Sequence, residues 1–202
     1  MKKIYIVGAG GHTRSLFTVL ENKYEIDGIY DDTYDENNQE TINGYKLVGK
    51  IDAITNDIVL VISSGDCDKR LFLYNRFKPQ LLLSNLIHST SIIEKWTSLG
   101  QSNQIFASSC LNSNVKIGNN NIINTGAIIE HETCIGNHNH ISVNSVLCGR
   151  VYVGDQCFIG AGAIVIDNIS ICDNVTVGAG SVVIRNIDFP GTYVGSPAIK
   201  IK

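Results

Sequence analysis

No apolar run in the chain approaches the ~18 residues that carry a helix across a bilayer, so no membrane-spanning helix is expected. The first residues, Lys2 to Val7, read at once as a short strand. They lack the apolar core and cleavage site of a secretory leader, and the expected compartment is the cytoplasm. Surplus charge is lacking too: 16 Lys and Arg stand against 19 Asp and Glu, a net −3, which gives no whole-protein reason to bind nucleic acid. None of the six cysteines (Cys67, Cys110, Cys134, Cys148, Cys157, Cys172) forms a C-x-x-C pair, which argues against a zinc knuckle or a thioredoxin-like site. In the cytoplasm they are expected to stay reduced. No Ser or Cys is tied to His131 by a recognisable nucleophile motif. What remains, 202 residues at 44% hydrophobic and 17% charged, fits one or two folded domains.

The dominant feature is a period of six. From Ile87 and Ile93 to Val177 and Val183, an aliphatic residue recurs at every sixth position, seventeen times without a slip. Four residues after each hit the side chain is often small or β-branched, as at Ser109, Ala127, Ser145, Cys157 and Ala163. An amphipathic helix repeats near 3.6 and a flat strand near 2, so neither explains a strict six. A hexapeptide period predicts a parallel β-helix. Three six-residue units close a triangular coil, and positions 18 apart stack into columns. Gly, Asn and Asp, as in Gly118-Asn119-Asn120-Asn121, are expected at the corners, where positive φ or side-chain turns are needed. One coil cannot bury its own face, so the array must be continuous. Past Ile187, Asp188-Phe189-Pro190-Gly191 breaks the period, and a turn-rich tail is expected to cover the last open coil.

Residues 1–84 read differently. A strand at Lys2 to Val7, the turn Gly8-Ala9-Gly10-Gly11-His12, a helix over Ser15 to Glu21 and a strand over Ile26 to Tyr30 ending in Asp31-Asp32 form a β–Gly turn–α–β unit. That is the context of a nucleotide site: glycines admit a ligand to the backbone, and a helix N-terminus offers N–H groups to phosphate. Position 13 is Thr where G-x-G-x-x-G needs its third Gly, which argues against NAD. Asp31 to Asn43 is acidic and expected to be a loop. Ile58 to Ile62 reads as a buried parallel strand with Ser63-Ser64-Gly65-Asp66 at its carboxyl end, Leu71 to Phe77 as a short helix, and Leu81 to Leu83 as a last strand. Ligands in such sheets lie beyond the carboxyl ends of the strands, here Gly8 to His12, Asp31-Asp32 and Ser64-Gly65.

The chemistry points to His131, flanked by Glu130 and Glu132. A neutral His with a carboxylate partner suits a general base. Neighbours on a flat strand face opposite sides, so His131 and Glu132 meet only if the chain bends between them. The column through His131 is Ser113, His131, Gly149 and Asp167. Gly149 leaves room beside the imidazole, where a thioester would fit.

The run from Asn124 to Gly136, then His140 to Val143, and the ending Val194-Gly195-Ser196-Pro197-Ala198 resemble the bacterial sugar O/N-acetyltransferases of the hexapeptide-repeat superfamily. The opening Ile-Tyr-Ile-Val-Gly-Ala-Gly-Gly-His belongs to the same resemblance, which therefore covers the whole chain. It implies an N-terminal α/β, Rossmann-like domain with a parallel sheet (residues 1–84) and a C-terminal left-handed parallel β-helix with its closing segment (residues 85–202). It implies acetyl-CoA as co-substrate, no metal, and N-acetylation of the 4-amino group of a dTDP- or UDP-linked 4-amino-4,6-dideoxy sugar for O-antigen or capsule biosynthesis. Sialic acid O-acetylation is the related alternative. By the same resemblance His131 is the base, Glu132 raises its basicity and Asn124 helps hold that pair. His140, Gly149, Ala161 and Ala179 would contact acetyl-CoA. Gly10, Gly11, His12, Asp31, Asp32 and Gly65 would hold the nucleotide sugar. A homotrimer with sites between subunits is implied as well. Two further readings stand beside it: a zinc lyase on the same solenoid, which needs three convergent His, and a non-catalytic scaffold with a nucleotide-sensing head.

Overall fold

In the computed structural model, which describes residues 1–20, 23–38 and 40–202, the chain divides into two units, Met1–Leu83 and Ser84–Lys202.

The first unit is built on a five-stranded sheet. β1 (Lys2–Val7) leads through a glycine turn into α1 (Gly11–Leu20), and β2 (Tyr24–Tyr30), β3 (Thr41–Ile42), β4 (Tyr45–Gly49), β5 (Leu60–Ile62) and α2 (Cys67–Phe77) follow. The strand order is β3-β4-β2-β1-β5. β1 runs parallel to both β2 and β5, so the chain crosses over on either side of it. That is the switch point at which open α/β sheets leave a crevice beyond the strand ends. Ile4, Ile6 and Val7 of β1 are wholly buried, as are Leu16 and Leu20 of α1 and Leu60 of β5. Glu21, the expected end of the first helix, lies outside the described residues.

Two expectations are corrected here. The acidic segment from Asp31 to Asn43 is not simply a loop: Asp35 bridges Asn38, and Thr41–Ile42 pairs antiparallel with Tyr45–Gly49. The latter strand carries no strong apolar run and was not anticipated; its alternation of exposed and buried residues marks it as a strand near the sheet edge. Leu81 to Leu83 makes only an isolated bridge to Leu60 rather than a strand.

The second unit is the solenoid. Two-residue strands start at Leu86–Ile87 and return every six residues to Val182–Val183, with Val175–Val177 one residue longer. They stack into three parallel sheets. The first face holds six strands from Ile92–Ile93 to Val182–Val183, and the second five from Ser98–Leu99 to Ser170–Ile171. The third runs from Leu86–Ile87 to Val175–Val177 and is extended by Gly191–Val194 and Ile199–Lys200. Among the repeat strands partners are 18 residues apart, as in Cys110–Leu111 beside Ile128–Ile129. The aliphatic columns fill the interior: Ile123, Ile129, Ile141, Leu147, Val153 and Val165 have no exposed surface. The tail strand Gly191–Val194 pairs parallel with Val175–Val177, so the last coil is covered on that face.

Two features of the corners went beyond the sequence pattern. Every sixth residue adopts positive φ, and this includes Trp96, Glu132, Arg150 and Gln156 as well as Asn and Gly. Such φ values are uncommon for these side chains. The closed triangular path imposes them, and the packed interior on both sides over-determines them. At one corner the small-residue position is filled instead by a buried column, Asn103, Asn121 and Asn139. Asn121 donates from Nδ2 to Asn103 Oδ1 and to Gly136 O, and its Oδ1 accepts from Asn139 N at 2.8 Å. Asn85 begins this ladder, accepting from Asn103 N.

Candidate functional sites

In the first unit an open pocket of about 520 Å³ lies beyond the carboxyl ends of β1 and β5. Gly10, Gly11, His12, Asp31 and Gly65 line it, together with Thr33, Ser63, Ser64, Asp66 and Lys69. Of the six nucleotide-sugar residues expected from sequence, the structure brings these five together; Asp32 is exposed and outside the lining. Asp31 is not idle. Its Oδ2 accepts from Ala9 N at 2.8 Å, and its Oδ1 accepts from Thr33 N at 2.9 Å and Thr33 Oγ1 at 2.7 Å. Burial pushes its carboxyl up, but the donors of Thr33 and Ala9, with Lys69 nearby, hold it below the usual carboxylate value. Asp31 therefore braces the glycine turn with Oδ2 and its own turn with Oδ1.

Thr13 explains the broken fingerprint. Its buried hydroxyl donates to Gly8 O at 2.8 Å and shares a 2.9 Å hydrogen bond with Ser63 Oγ. Where a glycine would let helix and strand close up, Thr13 ties the turn after β1 to the turn after β5. Gly8 itself has φ +112, and a Cβ there would collide with Ser63 O. Lys69 and Thr33 were missed in the sequence. Asp66 was the available signal for Lys69: it caps α2 by accepting from Lys69 N at 2.7 Å, which places Lys69 in the first turn above the pocket.

In the solenoid, His131 and Glu132 occupy the corner between the first and second faces. Glu132 has φ +62, which supplies the required bend. His131 Nδ1 donates to Glu132 Oε2 at 3.2 Å, so the pair forms although the residues are adjacent. The imidazole is half-exposed. It lies across Gly149, whose added Cβ would stand 2.5 Å from His131 Cε1 and 2.7 Å from Nε2. The room left by Gly149 is thus taken by the ring itself.

Asn124 is not placed on this pair. Its Nδ2 lies 3.1 Å from His140 Nε2, and its Oδ1 accepts from Thr125 N. His140 is buried and meets Phe158 edge-on at 5.1 Å between ring centres. Ala161 and Ala179 are exposed and stacked, Gly180 N donating to Ala161 O at 2.8 Å. They sit at the corner between the third and first faces. Within one chain, then, His131 with Gly149 and Ala161 with Ala179 border opposite edges of the first face. Among the described residues, no three His, Cys, Asp or Glu side chains converge as metal ligands, and no helix is long and apolar enough to cross a membrane. All six cysteines are unpaired as disulfides.

Comparison with known proteins follows the division into two units. Residues 3–77 match the PglD N-terminal domain, and residues 150–185 match the six-repeat bacterial transferase hexapeptide. The structure resembles a variant of perosamine N-acetyltransferase from Caulobacter crescentus solved with CoA and GDP-perosamine, with a TM-score of 0.91 at 28% identity, covering 100% of this chain and 98% of that one. The two matches and this likeness make the chain similar to the nucleotide-sugar acetyltransferases of the hexapeptide superfamily. This acetyltransferase has the family's left-handed β-helix, as the resemblance in sequence implied. Its fold also matches the acetyltransferase domain of PglB from Neisseria gonorrhoeae, with a TM-score of 0.91 at 24% identity and 100% coverage of both chains. A more distant likeness is to a variant of the N-acyltransferase AntD from Bacillus cereus, solved with dTDP and coenzyme A, with a TM-score of 0.56 at 22% identity over 59% of this chain and 80% of that one. No curated protein matches the sequence.

Proposed function

We propose that this acetyltransferase N-acetylates a nucleotide-linked amino sugar, specifically the 4-amine of a 4-amino-4,6-dideoxy sugar carried on dTDP or UDP, in the cytoplasmic stage of surface-glycan assembly. The observation that carries the reading is the half-exposed imidazole of His131, held at Nδ1 by Glu132 and with Nε2 lying over Gly149. Glu132 fixes the tautomer with Nδ1 protonated, which leaves the Nε2 lone pair available. The sugar amine attacks the thioester carbonyl of acetyl-CoA as Nε2 takes its proton. The tetrahedral adduct then collapses, the C–S bond breaks, and the proton on Nε2 passes to the departing thiolate. Proton transfer of this kind is worth ~10²–10⁴ in rate.

The nucleotide is assigned to the first unit's pocket, where two glycine-containing turns and the start of α1 offer backbone donors to the diphosphate. Perosamine N-acetyltransferase, which binds CoA and GDP-perosamine, supports an amino-sugar nucleotide as the substrate class. With Asp31 committed to its two turns, Glu40 in the pocket lining and exposed Asp32, next to Asp31 in sequence, are the carboxylates left to meet a base.

A homotrimer completes the proposal. The outward column of the first face is Ile92, Cys110, Ile128, Val146, Ile164 and Val182, an apolar strip with Ile92 at 54% and Ile128 at 37% exposure. A copy packed on this face would cover the strip. It would also bring the Ala161 and Ala179 corner of one subunit towards the His131 corner of another, so that acetyl-CoA would lie along the coils between them.

The test is thiol release from acetyl-CoA with dTDP-, UDP- and GDP-linked 4-amino-4,6-dideoxy sugars, alongside free and CMP-linked sialic acid. Turnover of a dTDP or UDP amino sugar is expected. Turnover of sialic acid alone would replace the reading with O-acetylation, and turnover of the GDP sugar alone would overturn the assignment of the base.

A further inference from the structure

Arg70 has no exposed surface and heads the largest fully buried side chains. It sits in the first turns of α2, directly behind the loop that walls the nucleotide pocket. Its Nη1 donates to three successive carbonyls of that loop, Ser64 O at 3.1 Å, Gly65 O at 3.4 Å and Asp66 O at 3.3 Å, and its Nη2 lies 3.6 Å from Cys67 Sγ. Burying a guanidinium is costly unless it is well hydrogen-bonded, and an apolar side chain of similar volume fills such a space at no such cost. The charge must therefore contribute something that packing alone does not. A trans peptide holds its C=O and N–H in opposite directions. Three consecutive carbonyls turned inward onto Arg70 thus fix three peptide planes whose N–H vectors, those of Gly65, Asp66 and Cys67, point away from it; Gly65 and Asp66 line the pocket. Lys69, the residue before Arg70, faces the same pocket.

We infer that Arg70 is a positioning residue for the nucleotide diphosphate: by gathering the Ser64, Gly65 and Asp66 carbonyls it sets the course of the pocket wall and the direction of its amides. It touches no reacting atom. This rests on the assignment of that pocket to the nucleotide sugar.

The experiment compares wild type with Arg70→Met and Arg70→Lys. Calorimetric binding of UDP, dTDP and GDP is measured first, then KM for the amino-sugar nucleotide, KM for acetyl-CoA, and kcat. If wild type binds none of the three nucleotides, the pocket assignment itself fails. If it binds one, Arg70→Met should keep the far-ultraviolet spectrum and the acetyl-CoA KM of wild type, with kcat within twofold. Its nucleotide Kd and sugar KM should rise at least tenfold. Arg70→Lys, which keeps the charge but not the fork, should recover part of that loss. Nucleotide affinity unchanged in Arg70→Met, or both KM values rising alike, would overturn the inference. Should Arg70→Met fail to fold, Arg70→Lys decides: a selective rise in nucleotide Kd supports the role, and unchanged affinity refutes it.

Discussion

Replacing Gly149 by alanine tests the placement of the imidazole with one methyl group. The new carbon would stand 2.5 Å from His131 Cε1, 2.7 Å from Nε2 and 2.9 Å from Asp167 Oδ1. Comfortable carbon contacts are ~3.5–4.0 Å, so the ring must retreat by roughly 1 Å. Gly149 does not use the left-handed backbone region, so alanine adopts its conformation without strain there. The ring is tied on one side only, through the 3.2 Å bond to Glu132, so it swings rather than disturbing the aliphatic interior. A displacement of ~1 Å at a reacting group costs on the order of 10²-fold. Steady-state thiol release with the amino-sugar nucleotide should therefore show kcat reduced 10- to 100-fold, with the oligomer and melting temperature close to wild type. A kcat within twofold of wild type would mean that the ring's seat over Gly149 does not matter to the reaction.

Three further outcomes follow from the same geometry. His131→Ala should lower kcat at least ~10²-fold, while Glu132→Gln, which keeps a partner for Nδ1 but removes its charge, should cost less; equal retention of activity in both would return the solenoid to a scaffold. Asn121→Ala removes two donated hydrogen bonds and one accepted one at a site with no exposed surface. It leaves buried groups unpaired at roughly 1–3 kcal/mol each, so urea denaturation should show about 2–4 kcal/mol lost, and a loss below ~0.5 kcal/mol would show that the ladder is dispensable. The Asp31 carboxyl is held below its usual value in the folded chain, so its stabilisation is complete above the ordinary carboxylate range and disappears as pH falls through the depressed value. Asp31→Asn should therefore be less stable than wild type at pH 7 and converge on it in strong acid; a gap independent of pH would refute the charge-based account.

The sequence by itself determined the solenoid, because a closed coil of three faces repeats its environment at fixed intervals. One aliphatic residue in six is the direct imprint of an interior that every coil must fill alike. It determined the glycine turn and the strand ends that form the pocket in the same way, since backbone chemistry there is local. His131 and Glu132 could be named because they are adjacent and chemically conspicuous. Their contact was decided by the fold: a corner imposes positive φ on Glu132, and no propensity of glutamate announces that. The fold alone also turned Gly149 from an empty space into the seat of the imidazole, placed Asn124 on His140, and committed Asp31 to the glycine turn as well as its own. Arg70 could not be read from the chain at all. A charged residue in a short helix looks solvated in sequence, and only the packing of α2 behind the pocket loop removes it from water and gives it three carbonyls. Periodic and local constraints leave marks in the order of residues; contacts between segments far apart in the chain, and conformations forced by closure, exist only once the chain has folded.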